Sequence, residues 1–156
     1  MSEINSDAPN VKIIPPLVYL AGIIVGLLVS MWLPTKVIPA PAAWIVGGFL
    51  ILCGAVLTGS GILKFKSVGT TVRPDRAASS LVIAGPYKIT RNPMYLGLAL
   101  VYLGIAIADQ SIWALILLPV ILIIIQHWAI KPEEAFLERR FGTEYSNYKT
   151  NVRRWL

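Results

Sequence analysis

Apolar residues in this chain form long unbroken runs, not the alternating or three-to-four-residue rhythm of half-buried elements. Pro16–Leu33 and Ala42–Leu63 contain no charge, and each approaches the roughly 20 residues a helix needs to cross hydrocarbon. Ile112–Ile130 is a further candidate span, with Pro119 inside it to remove a backbone hydrogen bond and bend the helix. The run ending at Ala108 is shorter, about 23 Å at the helical rise when counted from Met94. It spans only if it starts at Pro93 and the bilayer thins or neighbouring helices cover its ends. Asp109-Gln110-Ser111 joins the last two runs without slack, so they are expected to form a tight antiparallel hairpin. The pattern predicts an all-α membrane protein. It has about four transmembrane helices (16–33, 42–63, 93–108 and 112–130), a long loop and an amphipathic helical tail, in one domain over residues 1–156.

Composition strengthens this expectation. The chain is 56% hydrophobic and 14% charged, a balance that suits lipid as the solvent. Its net charge of +6 is read as orientation and attraction to anionic headgroups, not as a nucleic-acid footprint. Lys64, Lys66, Arg73, Arg76, Lys88 and Arg91 lie in the central loop, and Lys131, Arg139, Arg140, Lys149, Arg153 and Arg154 in the tail, against Lys36 alone in the opposite loops. Both termini and the loop are therefore expected in the cytoplasm. The segment before the first run carries Glu3 and Asp7 and lacks a basic stretch or a small-residue cleavage site, so that run reads as a retained helix and not a signal peptide. Cys53 is the single cysteine, which excludes an intrachain disulfide or a cysteine metal cluster, and no metal site is expected.

Polar chemistry concentrates in the loop and tail. Leu81-Val82-Ile83-Ala84 is an apolar patch, Gly85-Pro86 a turn signal, and Arg91-Asn92-Pro93 leads into a helix with proline at its first position. Pro132 is expected to begin a tail helix that carries Glu133 and Glu134 in its first turn and ends at Gly142. Beyond it, Tyr145, Tyr148, Val152 and Trp155 share one face, with Lys149, Arg153 and Arg154 alongside, as in a helix whose aromatics sit at headgroup depth. Each polar feature also has a plain explanation. Acids favour the first turn after a proline, Asn92 suits an N-cap, and Arg91 suits an interfacial anchor.

The order of these motifs resembles the isoprenylcysteine carboxyl methyltransferases. It runs Leu81-Val82, Gly85-Pro86-Tyr87, Arg91-Asn92-Pro93-Met94-Tyr95-Leu96-Gly97, a helical hairpin, Glu133-Glu134, Phe141-Gly142, Glu144-Tyr145 and Tyr148, covering residues 65–156. That family places His-Pro-x-Tyr after the arginine, where this chain has Asn92; the Asn-Pro-Met-Tyr form is similar to the phosphatidylethanolamine N-methyltransferases. The resemblance implies an S-adenosylmethionine-dependent methyltransferase acting on a membrane-embedded or lipid-attached acceptor. It implies cofactor contacts at Leu81, Val82, Tyr87, Asn92, Pro93, Met94, Tyr95, Glu133 and Glu134, with Arg91 and Glu134 as catalytic candidates. Gly59-Ser60-Gly61 is a candidate for the Gly-x-Gly element of the phospholipid enzymes, or a close-packing site. The arginine that precedes the paired glutamates in the prenylcysteine enzymes is missing, which leaves His127 and Lys131 as substrate candidates. A nicotinamide-dependent membrane reductase and a non-catalytic membrane protein remain as alternatives.

Overall fold

The computed structural model of the chain describes residues 9–36, 38–69 and 79–156. Its described residues form helices and connecting turns without strands. Five helices follow in order: α1 Pro15–Trp32, α2 Ala40–Ser67, α3 Pro93–Ala108, α4 Ile112–Ile125 and α5 Lys131–Asn151. A single 3-10 turn, Gly85–Lys88, precedes α3, and a π-helical turn, Gln126–Ile130, joins α4 to α5. Arg73 and Arg76 of the expected basic loop lie outside the described residues, as do Glu3 and Asp7.

Among the described residues three stretches are long and apolar enough to cross a membrane: α1, α2 and the continuous helix from Ile112. α3 has 16 residues, about 24 Å, and matches the expected short element. α1 turns Pro15, Tyr19, Ile23 and Gly26 inward, a stripe at helical spacing, and leaves Leu20, Ile24, Val25, Leu28 and Met31 exposed. Unbroken apolar surface of that kind suits lipid contact.

α2 is longer than the apolar run predicted, because Lys64 and Lys66 continue the helix past the uncharged segment to Ser67. It makes its most extensive contact with α3, and glycines are the reason. A Cβ on Gly47 would stand 2.6 Å from Gly104 O, and one on Gly54 would stand 2.5 Å from Gly97 O. The two backbones therefore touch along a line of small residues, the packing that lipid-solvated helices favour. Gly97 and Gly104 thus seat α3 against α2, while α4 packs chiefly on α1. The three-residue connection between α3 and α4 is as tight as expected, with Gln110 in the left-handed region (φ 59°), but their helix axes find their main partners elsewhere.

Three buried hydroxyls in the bundle are paired. The Ser111 hydroxyl accepts from Ala114 N–H at 3.1 Å and donates to Gly26 O at 3.1 Å. The Tyr102 hydroxyl donates to Ala114 O at 2.9 Å, and that of Tyr19 to Tyr95 O at 3.1 Å. Without water to compete, each such bond avoids the cost of a bare polar group in hydrocarbon.

Two expectations about the tail are corrected. Pro132 does not begin a helix; Ile130 before it is already helical, and the chain runs on from α4. Proline in a helix interior removes an N–H and presses on the carbonyl four residues earlier, here Trp128. The π turn just before it gives the needed slack, with Lys131 N–H reaching Gln126 O, and the Trp128 carbonyl is taken up by Lys12 N–H at 3.4 Å. Gly142 does break the helical path, at φ 51° and ψ −119°, but the residues after it do not lay their aromatics at headgroup depth. Tyr145 and Tyr148 are buried at 1% and 9% exposure, packed with Val82 and Tyr87 and flanked by Phe65, Leu81, Phe141 and Val152. The apolar patch of the loop, not lipid, is the partner their helical face meets.

Candidate functional site

Four pieces of chain meet at the end of the bundle that carries Lys64, Lys66 and Lys88: segment 79–92, the first turn of α3, the first turn of α5, and residues 152–155. Gly85 takes a positive φ of 65°, open to glycine without strain, and so starts the turn that buries Tyr87. Tyr148 then fixes that turn by donating to Tyr87 O at 2.7 Å.

Pro93 opens α3, as the sequence predicts, and places Met94 and Tyr95 in its first turn. Asn92 occupies the N-cap position but makes no capping bond. Its Nδ2 donates to Arg154 O at 2.9 Å, and the Thr90 hydroxyl donates to the same carbonyl at 3.1 Å.

Each glutamate has its own partners. The Tyr95 hydroxyl donates to Glu133 Oε2 at 3.0 Å, which ties α3 to α5. Glu134 receives Arg154 in a fork, Nε to Oε1 at 3.0 Å and Nη2 to Oε2 at 2.6 Å, with Arg91 Nη1 3.2 Å from Oε1. The side chains of Arg91 and Glu134 are only 10% and 13% exposed, so removing either partner would leave a largely buried charge uncompensated. Arg154 was expected to snorkel toward phosphates. It turns inward instead, because a buried carboxylate beside a second carboxylate attracts a guanidinium more strongly than water does. The Glu134 hydrogen bond raises Arg154 above its ordinary range.

Burial pushes Glu133 up to about 7, opposed by the Tyr95 hydrogen bond and reinforced by the neighbouring Glu134. Burial also drives the Tyr87 phenol well above its usual range, helped by the charges of Glu133 and Tyr148. Tyr87 is therefore a neutral donor, and its buried hydroxyl has no hydrogen-bond partner among the described residues. Arg91 Nε is likewise buried without one. A Cβ on Gly61 would stand 2.8 Å from Met94 Cγ and 3.5 Å from the Tyr87 hydroxyl, whereas one on Gly59 would meet open space. Of the candidate Gly-x-Gly element, Gly61 thus abuts the site.

The structure gathers most of the predicted residues. Leu81, Val82 and Tyr87 share one apolar cluster, Met94 and Tyr87 flank Gly61, Tyr95 meets Glu133, and Arg91 meets Glu134. His127 and Lys131 stand apart. Both are exposed, and His127 Nδ1 lies 2.9 Å from Ile123 O of its own helix. Thr90, Tyr148 and Arg154 were missed as site residues. The available signal for Arg154 was the crowding of two adjacent carboxylates, which needs more cation than Arg91 alone supplies.

Two surface grooves are lined by other residues than Glu133, Glu134, Arg91 and Tyr87. A groove of about 700 Å³ between α1 and α4 runs past Lys12, Leu17, Val25, Leu117, Ile121 and Trp128. A more polar one of about 470 Å³ is bordered by Ile83, Lys88, Glu144 and Tyr148.

S-adenosylmethionine is the cofactor implied by the resemblance, and the residues present fit it. Its sulfonium cation suits Glu133. Its hydroxyls and carboxylate suit the unpartnered Tyr87 hydroxyl and Arg91 Nε, and Val82 and Met94 offer apolar surface. An unpaired buried donor costs about 1–3 kcal/mol, which a bound acceptor offsets.

Comparison with known proteins gives the family. A family model described as phospholipid methyltransferase matches residues 42–144, from α2 into the kinked part of α5. An uncharacterized protein of Haemophilus influenzae is 38% identical over 65 residues, which are 40% of this chain and the whole of that relative. No solved structure matches the chain.

Proposed function

Since the chain belongs to the phospholipid methyltransferase family, we propose that it is an integral membrane methyltransferase that uses S-adenosylmethionine and methylates the amine of a lipid headgroup. The observation that carries this reading is the Tyr95–Glu133 hydrogen bond of 3.0 Å, set beside the unpartnered Tyr87 hydroxyl at the end of the bundle where basic residues cluster. Positive residues stay cytoplasmic, so this end faces the cytosol, where the cofactor is found.

When bound, S-adenosylmethionine supplies a methyl group already activated by its sulfonium. The protein then has three tasks: alignment, exclusion of water and management of one proton. Val82, Met94 and the ring of Tyr87 exclude water. Arg91 and the Tyr87 hydroxyl orient the polar ends of the cofactor. An ammonium acceptor must lose a proton before it attacks, and a carboxylate titrating near neutrality can take it. Glu133, raised to about 7, has that property, and Tyr95 holds its Oε2 in place. A carboxylate acceptor, such as a prenylcysteine, needs no base, and the Glu133 arrangement would then serve only the cofactor.

The acceptor reaches the site from the bilayer. The groove between α1 and α4 is apolar along its length, with Lys12 at one end, and it accommodates an acyl chain beneath a phosphate. The same reading leaves no task for a nicotinamide cofactor.

The test is reconstitution of the protein in vesicles with methyl-labelled S-adenosylmethionine, comparing phosphatidylethanolamine with a prenylcysteine acceptor. Label in the phospholipid, lost in Glu133→Gln, supports the proposal. Label in the prenylcysteine alone overturns the amine assignment, and failure of the folded protein to bind S-adenosylhomocysteine overturns the methyltransferase reading altogether.

A further inference from the structure

Beyond Asn151 the chain leaves α5 and runs back over the entry to α3. Arg91 N–H donates to Arg153 O at 2.9 Å, and Thr90 and Asn92 donate to Arg154 O. On the other side the Trp155 indole N–H reaches Gln126 Oε1, in the π turn, at 3.1 Å. Residues 153–155 thus form a strap pinned at once to the turn before α3 and to the helical turn before Glu133. Between the two anchor points the Arg154 guanidinium forks Glu134, so that both oxygens of that carboxylate are taken by arginines. Glu133 differs. Its hydrogen bond comes from Tyr95 on α3, and Tyr87 is near enough to feel its charge.

We propose that Arg154 is a positioning residue of the methyl-transfer site, acting through Glu134 and Asn92 to set the angle between α5 and the Arg91-Asn92-Pro93 turn. The paired glutamates thereby divide their work: Glu134 anchors the strap and Glu133 meets the cation of the cofactor. This inference rests on the methyltransferase reading. Arg154 supplies both orientation and charge, because a guanidinium fork fixes a carboxylate plane whereas an ammonium is a point charge. The groups that bear on Glu133 are Tyr95 of α3, Tyr87 of the 3-10 turn, and Glu134 and Tyr145 of α5, with Arg91 and Arg154 both directed at Glu134. Loss of the Arg154 charge leaves Glu134 closer to an unopposed anion, which disfavours a second anion at Glu133.

The measurement is S-adenosylmethionine binding to the full chain in detergent, without acceptor, across a pH series that brackets neutrality, with a melting curve for each protein. Arg154→Gln is expected to weaken binding about tenfold or more, the scale of one charge-assisted hydrogen bond, and to move the binding midpoint to higher pH. Arg154→Lys is expected to restore the midpoint but not the affinity. A strap with a purely structural role would lower the melting temperature of both variants and leave affinity and midpoint unchanged in the folded protein, which overturns the inference. If Arg154→Gln does not fold, Arg154→Lys decides: wild-type affinity there overturns the inference, and several-fold weaker binding at an unchanged midpoint supports it. Absence of binding by the wild-type protein is a different failure, that of the methyltransferase reading, and removes this inference with it.

Discussion

The Tyr95 hydroxyl donates to Glu133 Oε2 across 3.0 Å, and so the first turn of α3 is joined to the first turn of α5 by a bond between two residues 38 positions apart. That bond is the main influence holding the Glu133 carboxyl down against burial. Tyr95→Phe removes it while keeping the ring. Glu133 is then expected to titrate above about 7, and S-adenosylmethionine affinity at neutral pH to fall about tenfold, the scale of a hydrogen bond to a charged group. Calorimetry over a pH series checks both effects. An unchanged midpoint would separate this pair from the cofactor site.

Glu133 also ties stability to pH. Its folded value is raised from 4.5 to about 7, so below about pH 4.5 the group is protonated in both states and costs nothing. Between about pH 4.5 and 7 the unfolded chain releases this proton while the folded protein keeps it, so stability falls across that window and levels off once the folded group is ionised above about 7. Glu133→Gln is expected to flatten that slope and to leave the protein about 1–2 kcal/mol more stable at about pH 8, after allowing for partial solvent screening. Thermal melts of the two proteins in one detergent at several pH values give the comparison.

The α2–α3 contact offers a matched pair of substitutions. A Cβ at Gly54 would stand 2.5 Å from the Gly97 carbonyl, whereas one at Gly48, about a third of a turn round the helix from Gly54, would meet nothing within 4 Å. Gly54→Ala is expected to cost about 1–3 kcal/mol by forcing two backbones apart. Gly48→Ala is expected to be neutral or to stabilise by up to about 1 kcal/mol, since alanine loses less entropy in a helix. Equal effects in the two variants would contradict the glycine contact.

Pro132→Ala probes the π turn. An N–H at position 132 restores a donor for Trp128 O, which now accepts from Lys12 N–H at 3.4 Å. Faster amide exchange at Lys12 is expected, because its acceptor is shared. Cofactor affinity is expected to fall as the turn tightens and Glu133 rotates about the helix axis. Unaltered exchange at Lys12 would mean that the bulge does not depend on the proline.

Much of the candidate site was legible in the residues. Arg91, Pro93, Met94 and Tyr95 were found as a cluster from local order, since a proline at a helix start fixes what lies in the first turn. The partners of Glu133 and Glu134 were not legible, because a carboxylate attracts any nearby cation or hydroxyl and sequence distance does not rank them. Arg154 is 20 residues from Glu134 and looked like one of several basic residues suited to headgroups. The buried Tyr145 and Tyr148 were misplaced for a related reason. Their helical face is apolar, and an apolar face packs equally well on lipid or on protein.

The sequence by itself determined the helices and their medium, since runs of uncharged residues near the length of a bilayer leave the backbone no solution but helix. It also determined the start of α3 at Pro93 and the break at Gly142, both consequences of local backbone chemistry. Only the tertiary structure decided that α3 rests on α2, that Pro132 is absorbed within a continuing helix, and that residues 153–155 close over the Arg91-Asn92-Pro93 turn. Those outcomes depend on which surfaces approach within van der Waals or hydrogen-bond range. Such forces act over a few ångströms in space, and separation along the chain does not measure that distance.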